Sequence, residues 1–482
     1  MSDRPAENSA APPHPPITPG ARTPVGRPGV GVRPTWEPWA AGLLLLLAIG
    51  FGAAVLHRSA YSERRRTDAG VFFRAGFAAR TGGDPYTIPD DNEWYFLYPP
   101  GIAAMFVPLA DPPPAPVFEP HEPRAAPIAP RGSFVPYPVS IVLWYAFGIG
   151  CAVLSVELLA RALIRSSPDP HVRALTPALG GWWNIRFWPL LLALPDILST
   201  LSRGQINLLV LACISGGIYL LARGRKFWGG FALAGAACIK VIPGLIALDV
   251  LSRRAPRAII GYGACGLAMM VALPALVYGP ARAYEYTAEW TDRVLLAGFK
   301  GTEDRLQAGA GFADTDNLSI QGALHNLSNI ATPRGQRPNA PEPWIKVTHI
   351  ALSLGLLGAT LLIGPKPWAR PRREDSALEI MLRIGMLCCV MVLASPMSHR
   401  HYFVLIMPAL AALTFLNLMR SPLAVPCGRG AVLIPAYFVL QIIPRFEDSG
   451  PLRDLPIPTV LTIAVWVMCA RAIGWHGRLV RP

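Results

Sequence analysis
The sequence predicts an all-α, polytopic membrane protein. Three observations point to the membrane. Of its 482 residues, 52% are hydrophobic and only 15% charged, where a soluble domain carries about 25% charge. The mean hydropathy is +0.36. Apolar runs of roughly 18 or more residues, long enough to cross a bilayer as a helix, recur along the chain. Together they suggest about ten to thirteen spans in one integrated domain.

The clearest runs are 39–56, 139–164, 206–222, 227–251, 259–278, 347–364 and 402–418; weaker ones are 182–201, 380–394, 431–443 and 456–470. The first is too long for a secretion-signal core and no Ala-x-Ala-like cleavage site follows it, so it reads as an uncleaved helix. Residues 1–37 are rich in Pro, Ala and Arg and cannot bury a core, so they read as a disordered tail ahead of a transmembrane domain over 38–476. Residues 111–138 form a Pro-rich insertion, and 281–346 a large polar loop. In 227–251 the stretch Lys240-Val241-Ile242-Pro243-Gly244 interrupts an apolar run with basic residues at both ends. A single span and a hairpin of two half-length helices both fit. In the hairpin Lys240 lies within the structure, where irregular backbone is tolerated if it lines a cavity.

The net charge is +14. Its basic residues sit in short clusters beside apolar runs, at Arg223/Arg225/Lys226, Arg253/Arg254/Arg257 and Lys366/Arg370/Arg372/Arg373. That is the pattern of cytoplasmic loop ends and argues against a nucleic-acid partner. The loop after the first run is also Arg-rich, so charge alone leaves its side of the membrane open. Seven of the eight cysteines lie inside apolar runs and Cys427 just outside one, which suits small buried hydrophobes rather than a disulfide framework. No phosphate-binding loop, dinucleotide fingerprint, zinc spacing or nucleophile elbow occurs, so neither cofactor nor metal is implied. The acidic pairs Asp90-Asp91 and Asp314/Asp316 read as solvated loop.

Ionisable residues at membrane depth are costly and so are functional candidates. Asp68 follows the first run by about a dozen residues, where a carboxylate could act as a general base; an ion pair with Arg64, Arg65 or Arg74 is equally open. Lys240, flanked by apolar residues, must pair with an anion or lose its charge. A lipid-linked phosphate would serve, as would Asp196 or Asp249, or the side chain could snorkel to an interface. Ser395-Pro396-Met397-Ser398-His399-Arg400-His401-Tyr402 places two His and an Arg between apolar runs, a cationic patch suited to phosphate or an ordinary loop. Gln205 and Asn207, in Arg203-Gly204-Gln205-Ile206-Asn207, could bind sugar hydroxyls or cap a helix.

Taken in order, these segments resemble glycosyltransferase family 87, polytopic GT-C-type enzymes that include polyprenol-phosphate-mannose-dependent mannosyltransferases. The resemblance rests on Asp68, Gly83-Asp84-Pro85-Tyr86 and Tyr98-Pro99-Pro100, then Gly204-Gln205-Ile206-Asn207, then Gly229 with Lys240-Val241-Ile242-Pro243, then Asn317-Leu318-Ser319-Ile320, then Ser395-Pro396 and His401. It implies a hexosyltransferase, with mannose the expected sugar. It also implies a polyprenyl-phosphate donor, a lipid or glycan acceptor, inversion at the anomeric carbon, and an outward-facing site in a multi-pass protein of the plasma membrane. Asp68 then matches the acceptor-deprotonating carboxylate. Lys240 and His401 match positions near the donor phosphate, and Arg400, Gln205, Asn207, Asn317 and Tyr98 join as substrate-binding candidates. The chain departs from the family pattern at Asn317-Leu318-Ser319, where Asn-Gln-Ser is common. It departs again at His399-Arg400-His401-Tyr402, where Trp-x-His-His is common, and in the Pro-rich insertion. A transporter or flippase of a lipid-linked sugar, or an O-antigen-ligase-like enzyme using a diphosphate donor, are the competing readings.

Overall fold
The computed structural model describes residues 37–62, 67–90, 94–109, 135–167, 180–296, 316–333, 336–363, 376–418, 437, 439–440 and 455–479. Among them the secondary structure is helical throughout. Eight helices are long and apolar enough to span a membrane, joined by shorter apolar helices, so the chain is an all-α integral membrane protein. The expected run at 431–443 and the Pro-rich insertion lie almost wholly outside the described residues.

Helix α1 (Glu37–Leu56) carries leucines at 43 to 47, each more than half exposed. No described residue covers them, as suits a surface that faces lipid chains. The opposite case is Ala377–Ala394. Fifteen of its eighteen residues are buried, and its start is capped by Ser376, whose hydroxyl accepts from the Glu379 amide at 3.2 Å. A helix apolar on every side belongs at the centre of its bundle.

Around these lie α2 (Ala69–Thr81), α3 (Pro100–Phe106), α4 (Tyr137–Ser166), α5 (Gly180–Arg203), α6 (Asn207–Ala222), α7 (Lys226–Ile239) and α8 (Ile246–Ser252). Next come α9 (Pro256–Leu267), α10 (Leu273–Tyr278), α11 (Pro280–Trp290), α12 (Ile320–Ser328) and α13 (Pro343–Ile363), with Ala377–Ala394 as α14, then α15 (Met407–Leu418) and α16 (Ile457–Leu479). The helix at Lys226 stops at Ile239, Lys240 is extended (φ −143°, ψ 129°), and a 3-10 turn at Ile242–Leu245 leads into α8. The break falls where the hairpin alternative put it, and Pro243 explains why the helix does not continue.

Asp249 on α8 accepts from Arg253 at 2.6 Å and from Arg383 Nε of α14 at 2.9 Å, with all three side chains at least nine-tenths buried. This triad ties the short hairpin to the central helix. Such a buried network is costly to disrupt by removing one member.

Candidate active site
The site forms at one end of the bundle, where five segments distant in sequence converge. Asp68 stands immediately before α2. Asp at that position commonly spends its carboxylate on the first helical amides, but here the side chain makes no capping bond. Instead one oxygen, Oδ2, is buried with no hydrogen-bond partner among the described residues, and the Gln205 amide faces the carboxylate as a hydrogen-bond partner. Burial pushes the Asp68 carboxyl above the ordinary carboxylate range; the Gln205 hydrogen bond and the charges of Arg203, Lys240 and Arg58 pull against that rise.

Gln205 reaches Asp68 because of Gly204. Gly204 has φ +67°, and a Cβ there would lie 2.6 Å from the Ala69 Cβ, so glycine alone allows the turn between α5 and α6 to touch the start of α2. The Trp144 indole donates to the Gly204 carbonyl at 2.8 Å and fixes that turn. On its other side Gln205 Oε1 accepts from the Tyr98 hydroxyl at 3.1 Å.

The Gly82-Gly83-Asp84-Pro85-Tyr86 motif supports Tyr98 from below. Gly82 (φ +80°) closes α2, Asp84 accepts from the Tyr86 amide at 2.8 Å, and Tyr86 donates to the Tyr98 carbonyl at 3.0 Å. The motif is scaffolding for a site residue.

Lys240 Nζ donates to Asn207 Oδ1 at 2.9 Å and lies 3.6 Å from the centroid of the Tyr402 ring and 5.8 Å from that of Tyr98. The structure excludes both carboxylates proposed as its structural partners. Asp196 pairs with Arg400 at 3.4 Å, and Asp249 belongs to the triad. The lysine is therefore held by an amide and a ring face, with the Asp68 carboxylate the nearby charge it acts on.

Asn207 donates to the His401 carbonyl at 2.9 Å, which joins the start of α6 to the loop before α15. His401, 2% exposed, stacks on both His399 and Tyr402, with ring centroids 5.6 and 4.8 Å away, and those two rings lie 6.3 Å from each other. Asn317 is also buried, and its amide bonds the same loop and Ser319. Its nitrogen donates to the Pro396 carbonyl at 2.9 Å, and its oxygen accepts from the Ser398 and Ser319 amides at 2.9 and 3.1 Å. Asn317 holds the His-bearing loop in place.

Of the sequence candidates, Asp68, Tyr98, Gln205, Asn207, Lys240 and His401 converge on one cluster. Arg400 lies at its edge, joined to Asp196, and Asn317 lies behind it. Two neighbours were not singled out from sequence, Arg203 and Tyr402; His399 was one of the two histidines of the cationic patch. Tyr402 is recognisable only once Lys240 is placed beneath it. Arg203 had the weak signal of a basic residue ending a helix beside Gly-Gln. Among the described residues no cluster of His, Cys, Asp and Glu has the arrangement of a metal site.

The helical membrane bundle thus gathers a carboxylate, a buried lysine and stacked His and Tyr rings in one place. The pattern that defines glycosyltransferase family 87 matches residues 96–396. The chain belongs to that family and is a membrane glycosyltransferase. The matched region contains Tyr98, Gln205, Asn207, Lys240 and Asn317; Asp68 and the His399–His401 stretch flank it. A search among curated proteins found no match.

Proposed function
We propose that this glycosyltransferase moves a hexose, mannose in the reading the family resemblance favours, from a polyprenyl-phosphate donor to a lipid or glycan acceptor, with inversion. One observation carries the reading. A membrane protein of this family presents a carboxylate with an unpartnered oxygen, held by Gln205 and faced by the charges of Lys240 and Arg203.

In this reading Asp68 Oδ2 accepts the proton of the acceptor hydroxyl as that oxygen bonds to the anomeric carbon. The bond from the anomeric carbon to the phosphate oxygen breaks, and its electron pair leaves on the polyprenyl phosphate. A single displacement inverts the centre and needs one base. Burial gives Asp68 more proton affinity than an exposed aspartate, and the Gln205 hydrogen bond and the charges of Arg203, Lys240 and Arg58 work against that rise. Lys240 acts from beneath, orienting Asn207 and Tyr402 and supporting negative charge at the reacting centre together with His401. The site faces outward from the plasma membrane, where a lipid-linked donor replaces the nucleotide sugars of the cytoplasm.

The test is donor use by the purified protein. Labelled sugar should pass to a lipid acceptor fraction from polyprenyl-phosphate mannose and not from a nucleotide-activated mannose. Transfer from the nucleotide donor alone would refute the reading.

A further inference from the structure
A cavity of about 300 Å³ opens beside the carboxylate cluster, walled by Phe51, Ser199, Ser202, Arg203, Asp316 and His399, with Leu198 and Arg400 completing it. Its walls differ in kind. Phe51 comes from α1, most of whose surface is left exposed to the bilayer, whereas Ser199, Ser202 and Arg203 come from the last turn of α5.

The charges in this cavity are unequally committed. Arg400 is joined to buried Asp196 at 3.4 Å. Burial lowers the His399 imidazole to about 4, so it is neutral at physiological pH. Arg203 makes no hydrogen bond or ion pair with a described residue, yet its charge acts on Asp68, His399, His401 and Tyr402. It stands between the open cavity and the reacting cluster. Lys240 is roofed by Tyr402 and spent on Asn207, so it is the less accessible of the two cations.

We propose that Arg203 is the direct ligand of the donor phosphate, that the phosphate sits in this cavity, and that the isoprenoid chain leaves past Phe51 into the bilayer. The inference rests on the function proposed above and sharpens it. With one uncommitted cation, and with the Asp316 carboxylate in the same wall, the cavity matches a singly charged phosphodiester better than a diphosphate carrying further negative charge. The Ser199 hydroxyl supplies a neutral donor to the phosphate oxygens, while the Ser202 hydroxyl donates to the Ser199 carbonyl at 3.1 Å. Arg203 then neutralises the leaving group from the cavity while Asp68 acts on the acceptor.

The experiment uses the full-length protein in lipid nanodiscs. It compares binding of a long-chain polyprenyl monophosphate, the matching polyprenyl diphosphate, and inorganic phosphate. Wild type should bind the monophosphate lipid, bind the diphosphate no more tightly, and bind free phosphate far more weakly. Arg203→Gln should weaken monophosphate binding by roughly tenfold or more, as expected for loss of a charge-assisted contact. Arg203→Lys should retain most of the affinity. Leu198→Trp, which fills the cavity without removing charge, should also block binding, so the proposal stays testable if Arg203→Gln folds poorly. Equal affinity of wild type, Arg203→Gln and Leu198→Trp for the monophosphate lipid would overturn this inference and leave the proposed function standing. Tighter binding of the diphosphate would overturn the charge argument. Failure of wild type to bind either lipid would overturn the lipid-linked donor itself, and this inference with it.

Discussion

Replacing Lys240 with Met separates a working lysine from a merely buried one. The change removes an ammonium that donates to Asn207 at 2.9 Å and lies 3.6 Å from the Tyr402 ring centroid, and leaves a side chain of similar length. Two stability effects oppose each other. Orphaning the Asn207 oxygen costs about 1–3 kcal/mol, and losing a desolvated cation–π contact about 2 kcal/mol. Against these, the folded protein no longer buries a charge, which saves several kcal/mol in the general case. The net change in folding stability should therefore be small, on the order of 1–2 kcal/mol in either direction.

Catalysis should respond more sharply. A positive charge near Asp68 favours its ionised form, so Lys240 holds the carboxyl below the value burial alone would impose. Without the lysine the Asp68 carboxyl moves further up, and it is protonated over more of the acidic range. The acid limb of kcat/KM should move to higher pH, and the rate at neutral pH should fall by about 10–100-fold, corresponding to ~1.4–2.7 kcal/mol of transition-state stabilisation. The assay is sugar transfer by purified wild type and Lys240→Met across the acidic and neutral range, with thermal unfolding measured alongside. An unmoved acid limb at full rate would refute the coupling between Lys240 and Asp68. Loss of folded protein with no change in the surviving activity would show that the lysine is structural.

Other outcomes follow from single contacts. Gly204→Ala forces a Cβ to 2.6 Å from that of Ala69 at a positive φ; it should cost about 1–3 kcal/mol in thermal stability and lower activity as Gln205 shifts. Arg383→Met leaves Asp249 with Arg253 alone in a buried setting and should destabilise by about 3 kcal/mol, while the remaining folded protein keeps its donor affinity. For orientation, a single cysteine at Thr87 should react with a membrane-impermeant thiol reagent in intact cells, and one at Arg225 only after permeabilisation; the reverse pattern would put the site on the cytoplasmic face.

The membrane architecture was legible because hydropathy is a local property. Runs such as 259–278 and 456–470 reappear as Pro256–Tyr278 and Ile457–Gly474, and the break at Lys240 was visible from Pro243. The candidate site was half legible. Asp68, Lys240 and Gln205 stood out as polar residues next to apolar sequence, but their shared location depends on the packing of α2, α6 and α7. Asn317 illustrates the gap. Its polarity made it a substrate candidate, and in the structure its amide bonds the loop from Pro396 to Ser398 as well as Ser319. Arg203 illustrates the converse, since its lack of a hydrogen-bond or ion-pair partner among the described residues is a property of three-dimensional space that no spacing encodes. The Gly83–Tyr86 motif was legible only as part of the family resemblance; in the structure Tyr86 donates to the Tyr98 carbonyl.

The central claim is that Asp68 is the base of a glycosyl transfer, and purified Asp68→Asn tests it most directly. Both proteins would be supplied with polyprenyl-phosphate mannose and a lipid acceptor fraction, and initial rates of labelled product compared, with donor binding and thermal unfolding measured on the same preparations. The account predicts a folded variant that still binds donor and transfers sugar about 10²–10⁴-fold more slowly. Transfer by Asp68→Asn at the wild-type rate would contradict it.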